Sequence, residues 1–253
     1  MKGFLVAAAT AVLAFPALAQ ELTPVGSVQH GKYSMATGEY SLEGGVQRFG
    51  PATAWDSTLF TGFFSNRISS QWVVDWGDVA NGTFVNGFQM AYATNSTVPV
   101  DITVNFYDNG NGFGDASTLA ASYLISGLPG SASGGIEAFA FDIDLMGGFE
   151  FTINSADLDG DNLADFEYEY NMTNRGNATA TGMGPLISTG GVGEEDVFDR
   201  YDGNSQAGGG TLGGTFFFGG NPLAQFHMRL YTVPEPASLA LLALGALGFM
   251  RRR

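Results

Sequence analysis

The chain has 253 residues, of which 25 are acidic and only 10 basic, giving a net charge of −15, and it has no cysteine. That charge repels nucleic acid and anionic membrane surfaces, and the missing thiols exclude disulfides, thiol nucleophiles and cysteine metal sites. The 37 glycines and 21 phenylalanines read as turns punctuating an ordered core, because disordered linkers carry few aromatics.

At the N-terminus, Lys2, an apolar run over residues 4–15 and then Ala17-Leu18-Ala19 before Gln20 have the order of a cleavable secretory signal over residues 1–19, with a helical apolar centre. The run is shorter than the roughly 20 residues of a spanning helix, and Pro16 breaks its end. Residues 20–232 then hold 24 acidic and 6 basic side chains, a net charge of −18. Their length suits one all-β domain with one core. Residues 22–50 read as either a loosely ordered segment or an edge hairpin.

From there short apolar runs alternate with polar residues between Gly, Asn and Asp turns, which predicts strands over 71–79, 83–92, 100–107, 119–126, 136–143, 148–153, 165–171, 214–218 and 224–232. Ile102, Val104 and Phe106 alternate with Asp101, Thr103 and Asn105, and Phe139 and Phe141 share one parity against Asp142 and Asp144, so one face packs inward and the other meets solvent. Nine such strands predict an antiparallel two-sheet sandwich, jelly-roll-like. The glycine-rich stretches 131–135, 182–193 and 203–214 are expected to be loops.

The tryptophans Trp55, Trp72 and Trp76 open two readings: flat faces for stacking a sugar, with Asp75 and Asp78 as acceptors, or core packing. Trp72, Val74 and Trp76 share one strand face, the ordinary pattern of a half-buried sheet.

The sharpest chemical signal is the run from Asp157 to Asp165. Asp157, Asp159, Asp161 and Asp165 stand at relative positions 1, 3, 5 and 9, which is how a tight loop presents several oxygens to calcium. The pattern departs from an EF-hand at Asn162, where the turn glycine belongs, and at Tyr168, where a bidentate Glu belongs. Glu167 or an acid from another loop is then needed to complete a shell, and the alternative is a solvated acidic turn. Asp108 to Asp115, and Glu194, Glu195, Asp196, Asp199 and Asp202, are weaker clusters expected in exposed loops.

No catalytic residue emerges. His30 and His227 are the two imidazoles, and neither sits in a nucleophile motif. The competing functional class is a secreted carbohydrate-active hydrolase using two facing carboxylates.

The C-terminus reads Val233-Pro234-Glu235-Pro236-Ala237-Ser238, then an Ala/Leu/Gly-rich run to Met250, then Arg251, Arg252 and Arg253. Residues 233–253 thereby resemble the PEP-CTERM sorting tag of Gram-negative bacteria: a Pro-Glu-Pro motif, a short hydrophobic helix and a basic tail in order. The resemblance implies recognition by an exosortase-type membrane protease, cleavage near the motif, and a place on the outer surface or in the extracellular matrix. Residues 102–108, 127–130, 195–198 and 221–231 resemble ectodomains of that family, which are associated with exopolysaccharide, biofilm or floc matrix. Independently, three arginines beside an apolar segment hold that end in the cytoplasm. Residues 237–250 span only about 21 Å as a helix against a hydrocarbon core of about 30 Å, which suits a transient, processed segment better than the alternative of a lasting anchor.

Overall fold

A computed structural model describes residues 22–42, 52–114, 117–193, 196–219 and 223–233. These residues form 17 strands and no helix. The first five are β1 (Leu22–Pro24), β2 (Val28–Ser34), β3 (Glu39–Leu42), β4 (Ala52–Ser57) and β5 (Leu59–Ser65). Next come β6 (Gln71–Val79), β7 (Thr83–Thr94), β8 (Val100–Asp108), β9 (Thr118–Leu128), β10 (Glu137–Asp144) and β11 (Phe151–Ile153). The chain continues through β12 (Ala164–Asn174), β13 (Met183–Thr189), β14 (Val197–Asp202), β15 (Thr211–Phe217), β16 (Gln225–Phe226) and β17 (Met228–Thr232). The helices expected in the leader and in the C-terminal tail fall outside the described residues.

All nine segments expected as strands are extended, though 148–153 keeps only its last three residues and 224–232 is split at His227. Two expected loops are strands instead, and a third, 203–214, gives residues 211–214 to β15. Residues 182–193 contain β13, and Asp196, Asp199 and Asp202 belong to or abut β14. The first miss has a physical reason: β13 is buried along its whole length, so it shows no alternation, and its Pro185 and flanking glycines imitate a turn.

The strands make two sheets. One has 11 strands, in the order β1-β5-β13-β7-β10-β2-β3, with β11 and β17 also on β7, β4 outside β17, and β16 beside β13. The other has six, in the order β15-β14-β6-β12-β8-β9. The arrangement is a sandwich but not wholly antiparallel, because β2 runs parallel to β10 with Ala138 opposite Val28. Parallel neighbours need a long connection, and about a hundred residues of chain separate this pair. β2 and β3 form a hairpin at the edge of the larger sheet, one of the two readings of residues 22–50.

The core lies between the sheets. Phe88, Met90 and Tyr92 of β7 and Phe139, Phe141 and Ile143 of β10 meet Ile102, Val104 and Phe106 of β8 and Phe166, Tyr168 and Tyr170 of β12. Phe88 and Phe106 touch across the interface with ring centres 5.1 Å apart. Each large side chain so buried contributes about 2–3 kcal/mol, which lets a cysteine-free chain hold its fold by packing. The tyrosines keep their hydroxyls satisfied: Tyr92 donates to the Pro129 carbonyl (2.7 Å), Tyr168 to Phe226 (2.8 Å) and Tyr170 to His227 (2.6 Å). A smaller apolar layer of Phe64, Ala91, Ala93, Ala138, Ala140 and Leu186 lies on the opposite face of the larger sheet.

Candidate functional site

The acidic segment forms the turn between β11 and β12, and its carboxylates fold it. Asp157 accepts the amides of Gly160 (2.6 Å) and Asn162 (2.9 Å), Asp159 that of Asp161 (3.1 Å), Asp161 that of Leu163 (2.7 Å), and Asp165 that of Leu158 (2.6 Å). These are the local side-chain bonds by which Asp favours turns. Asn162 has φ +74°, the left-handed conformation that Asn tolerates better than other non-glycine residues. The missing turn glycine is therefore no obstacle to the loop.

The turn brings the four aspartates into two overlapping groups. Oxygens of Asp157, Asp159 and Asp165 lie within 4.8 Å of one another, and so do those of Asp159, Asp161 and Asp78. Two oxygens bound to one calcium at about 2.4 Å are at most about 4.8 Å apart, so each group has calcium-compatible spacing. Asp78 comes from β6, directly opposite Asp165 in the ladder. Sequence spacing did not single it out as a ligand. Tyr168 is buried in the core, and Glu167 turns its carboxylate away to the Gly112 amide (3.0 Å). The acid that joins the loop from elsewhere is Asp78.

Electrostatics follow from this crowding. Burial, then the charges of Asp159, Asp157 and Asp161, push the Asp165 carboxyl above its usual range. The exposed Asp157 is held below it, chiefly by the Gly160 amide.

The tryptophans do not form a free platform. Trp55 is buried, donates to the Val192 carbonyl (2.9 Å) and packs on Phe166 with ring centres 5.4 Å apart. Trp76 lies on the outward face of the six-stranded sheet, yet it is buried with Phe113 beside it at 5.5 Å. Trp72 is half-buried.

The outward face of that sheet also carries a carboxylate row, of which only Asp199 was expected in an exposed loop. Glu167, Glu169 and Asp199 are each at most 1% exposed. They hold the covering segments by their backbones: Glu167 accepts Gly112, Asp199 accepts Gly114 (2.6 Å) and Glu169 accepts Gln206 (2.9 Å). Tyr107 and Asn105 also donate to Glu169, at 2.5 and 2.7 Å. Burial raises Glu169 and pushes Glu167 up to about 7. The alternation in Phe166-Glu167-Tyr168-Glu169-Tyr170 places both acids on one face, but nothing in it reveals that this face is covered.

On the other side of the molecule, Asp56, Arg229, Gln89, Asp142 and Lys32 stand opposite one another in register across β4, β17, β7, β10 and β2. Arg229 pairs with Asp56 at 2.6 Å, and Gln89 donates to Asp142 at 2.7 Å. His227 is closed into this network between the Ser188 hydroxyl (2.7 Å) and the Gln89 side-chain carbonyl (3.1 Å). Burial pushes the imidazole down to about 3. It stays neutral and sealed, the state of a structural histidine and not of an accessible base. Nearby, a cavity of about 440 Å³ is walled by Leu22, Leu59, Phe60, Phe63, Ile187 and Phe218.

β17 ends at Thr232 in the middle of the larger sheet, between β4 and β7. Residues 232–253 match the family model of the PEP-CTERM protein-sorting motif. The chain carries a PEP-CTERM sorting motif. The motif implies recognition by exosortase, a membrane protein, and export through the cell envelope to the surface. Pro234, Glu235, Pro236, Arg251, Arg252 and Arg253 all lie within the matched stretch and outside the described residues. Comparison with curated proteins and with solved structures returned no match.

Proposed function

We propose that this chain is a non-catalytic protein of the outer surface or extracellular matrix of a Gram-negative bacterium, sorted by its C-terminal motif and displayed there in association with exopolysaccharide. The observation that carries this reading is the junction at residue 232, where the motif begins on the last residue of a strand buried between two others. The folded domain runs into its sorting signal with no intervening segment, which suits a domain delivered to an envelope surface rather than one released from a flexible stalk. Against the hydrolase alternative, the carboxylate with pKa near 7, Glu167, and its neighbour Glu169 are too buried for a substrate oxygen to reach. Paired-carboxylate hydrolysis needs both groups open to one cleft.

Within this reading the acidic turn is a calcium site that stabilises the displayed domain, with Asp157, Asp159, Asp161, Asp165 and Asp78 as ligands. The donor set is all oxygen, which suits a hard cation.

The test is the intact mass and location of the protein in cells with and without the sorting protease. A product starting near Gln20, lacking the segment after about Pro236 and found at the surface only when the protease is present, is the expected result. Surface protein that keeps the apolar tail would exclude the sorting role. Loss of exopolysaccharide-bound material on deletion tests the last part of the proposal, and unchanged matrix composition would remove it.

A further inference from the structure

Among the described residues the six-stranded sheet ends at β9, which pairs only with β8. Open sheet edges are commonly blunted by shortness, charge, proline or irregularity, and the other edges here obey that rule. β1 has three residues and ends in Pro24, and β3 has four and carries Glu39. β4 carries Asp56. β15 is interrupted by a register shift beside Gly214, whose φ is +136°.

β9 is different. It has 11 residues with neither charge nor proline, and residues 117–135 contain no Asp, Glu, Lys or Arg at all. Its register with β8 shifts near both ends, and the Ser126 amide is already capped by the Tyr33 hydroxyl at 3.3 Å. The regular, uncapped stretch is therefore residues 121–125. There Tyr123 and Ile125 are buried, while Ser122 and Leu124 are exposed.

We infer that β9 is an interface at which a second copy of this chain adds, strand against antiparallel strand, so that two six-stranded sheets join into one. The occupant follows from charge. Two copies with a net charge of −15 each repel over most of their surfaces, and this uncharged edge lets their backbones approach without opposing carboxylates. A basic partner would find no charge here to pair with. Antiparallel addition about a two-fold axis is self-complementary, since the same strand supplies both sides. Five regular residues make a contact below the standard interface of about 1,200–2,000 Å². Association is accordingly weak in dilute solution and favoured where copies are crowded on a surface.

The experiment is sedimentation equilibrium of the protein recovered from the envelope or medium, from micromolar to millimolar concentration. A monomer–dimer equilibrium that tightens with added salt is expected, because salt screens the overall repulsion. Ser122→Lys and Leu124→Lys, both at exposed positions, each set ammonium groups against each other across the axis and should weaken the dimer about tenfold or more with the melting temperature unchanged. Leu212→Lys on β15 should leave it alone. Hydrogen exchange at residues 121–125 should slow as the dimer forms. A protein that stays monomeric to millimolar concentration, a dimer that both lysine variants leave intact, or one that chelator dissolves would overturn the proposal, the last by assigning the contact to ion-bridged acidic loops.

Discussion

Glu167 shows how a single side chain sets a pH dependence. Its carboxyl is raised from 4.5 to about 7, first by burial, so the folded state binds the proton more tightly than the unfolded state does. The stability tied to that proton is fully present below about pH 4.5 and is lost as pH rises to about 7, a change of about 3 kcal/mol at 1.36 kcal/mol per unit. Glu167→Gln keeps an acceptor for the Gly112 amide and removes the titration. Melting curves in chelator from pH 5 to pH 8 should show the variant gaining several degrees on the parent as pH rises; parallel curves would show that the parent does not ionise there at cost. Gly112 makes the complementary point. Its φ is +82°, and a Cβ there would run into the Trp76 ring. Gly112→Ala should destabilise by about 2 kcal/mol and shift Trp76 emission toward that of a wetter indole, whereas unchanged emission would mean that the covering segment does not seal the ring.

At the scale of elements, the acidic turn owes its shape to its own aspartates and its candidate ligand set to a neighbouring strand. Asp159 belongs to both oxygen groups, and Asp78 joins only because β6 and β12 pair in this register. Calcium at a hundred times its dissociation constant should add about 2.7 kcal/mol, raising the melting temperature by several degrees. Magnesium should do less, since its strict octahedral shell is poorly served by carboxylates so arranged. Asp159→Ala should abolish the calcium shift and Asp78→Asn should reduce it. Equal melting in calcium, magnesium and chelator would leave the segment an acidic turn, and a shift surviving Asp159→Ala would place the ion elsewhere.

For the whole molecule, the C-terminal motif bears on where the protein goes and the sandwich governs what arrives. Arg251, Arg252 and Arg253 lie past the last core strand and act through the preference of positive charge for the cytoplasmic side. Reversing all three to Glu should leave the melting temperature of the folded domain unchanged while preventing arrest in the membrane, as read by fractionation. Unaltered localisation would discard the charge argument. By contrast, Phe106→Ala, at the centre of the inter-sheet aromatic contacts, should cost about 3–5 kcal/mol in denaturant unfolding without altering the sorting signal itself.

The sequence by itself determined the features written in local order. The all-β class was legible in the period-two alternation of residues 102–106 and 139–141, and the acidic turn in its Asp spacing. The sorting motif was legible in 21 contiguous residues, because the protease that the motif implies reads a linear signal. What the tertiary structure decided depends on residues far apart in the chain. The parallel pairing of β2 with β10, the recruitment of Asp78 beside Asp165 and the sealing of His227 by Ser188 and Gln89 are all register facts, and a ladder's register is a property of two strands at once. The burial of Glu167 and Asp199 was illegible for a related reason. Alternation tells which residues share a face, but whether that face meets water is decided by glycine-rich segments that fold back over it, and their own sequence contains no apolar pattern to announce the cover.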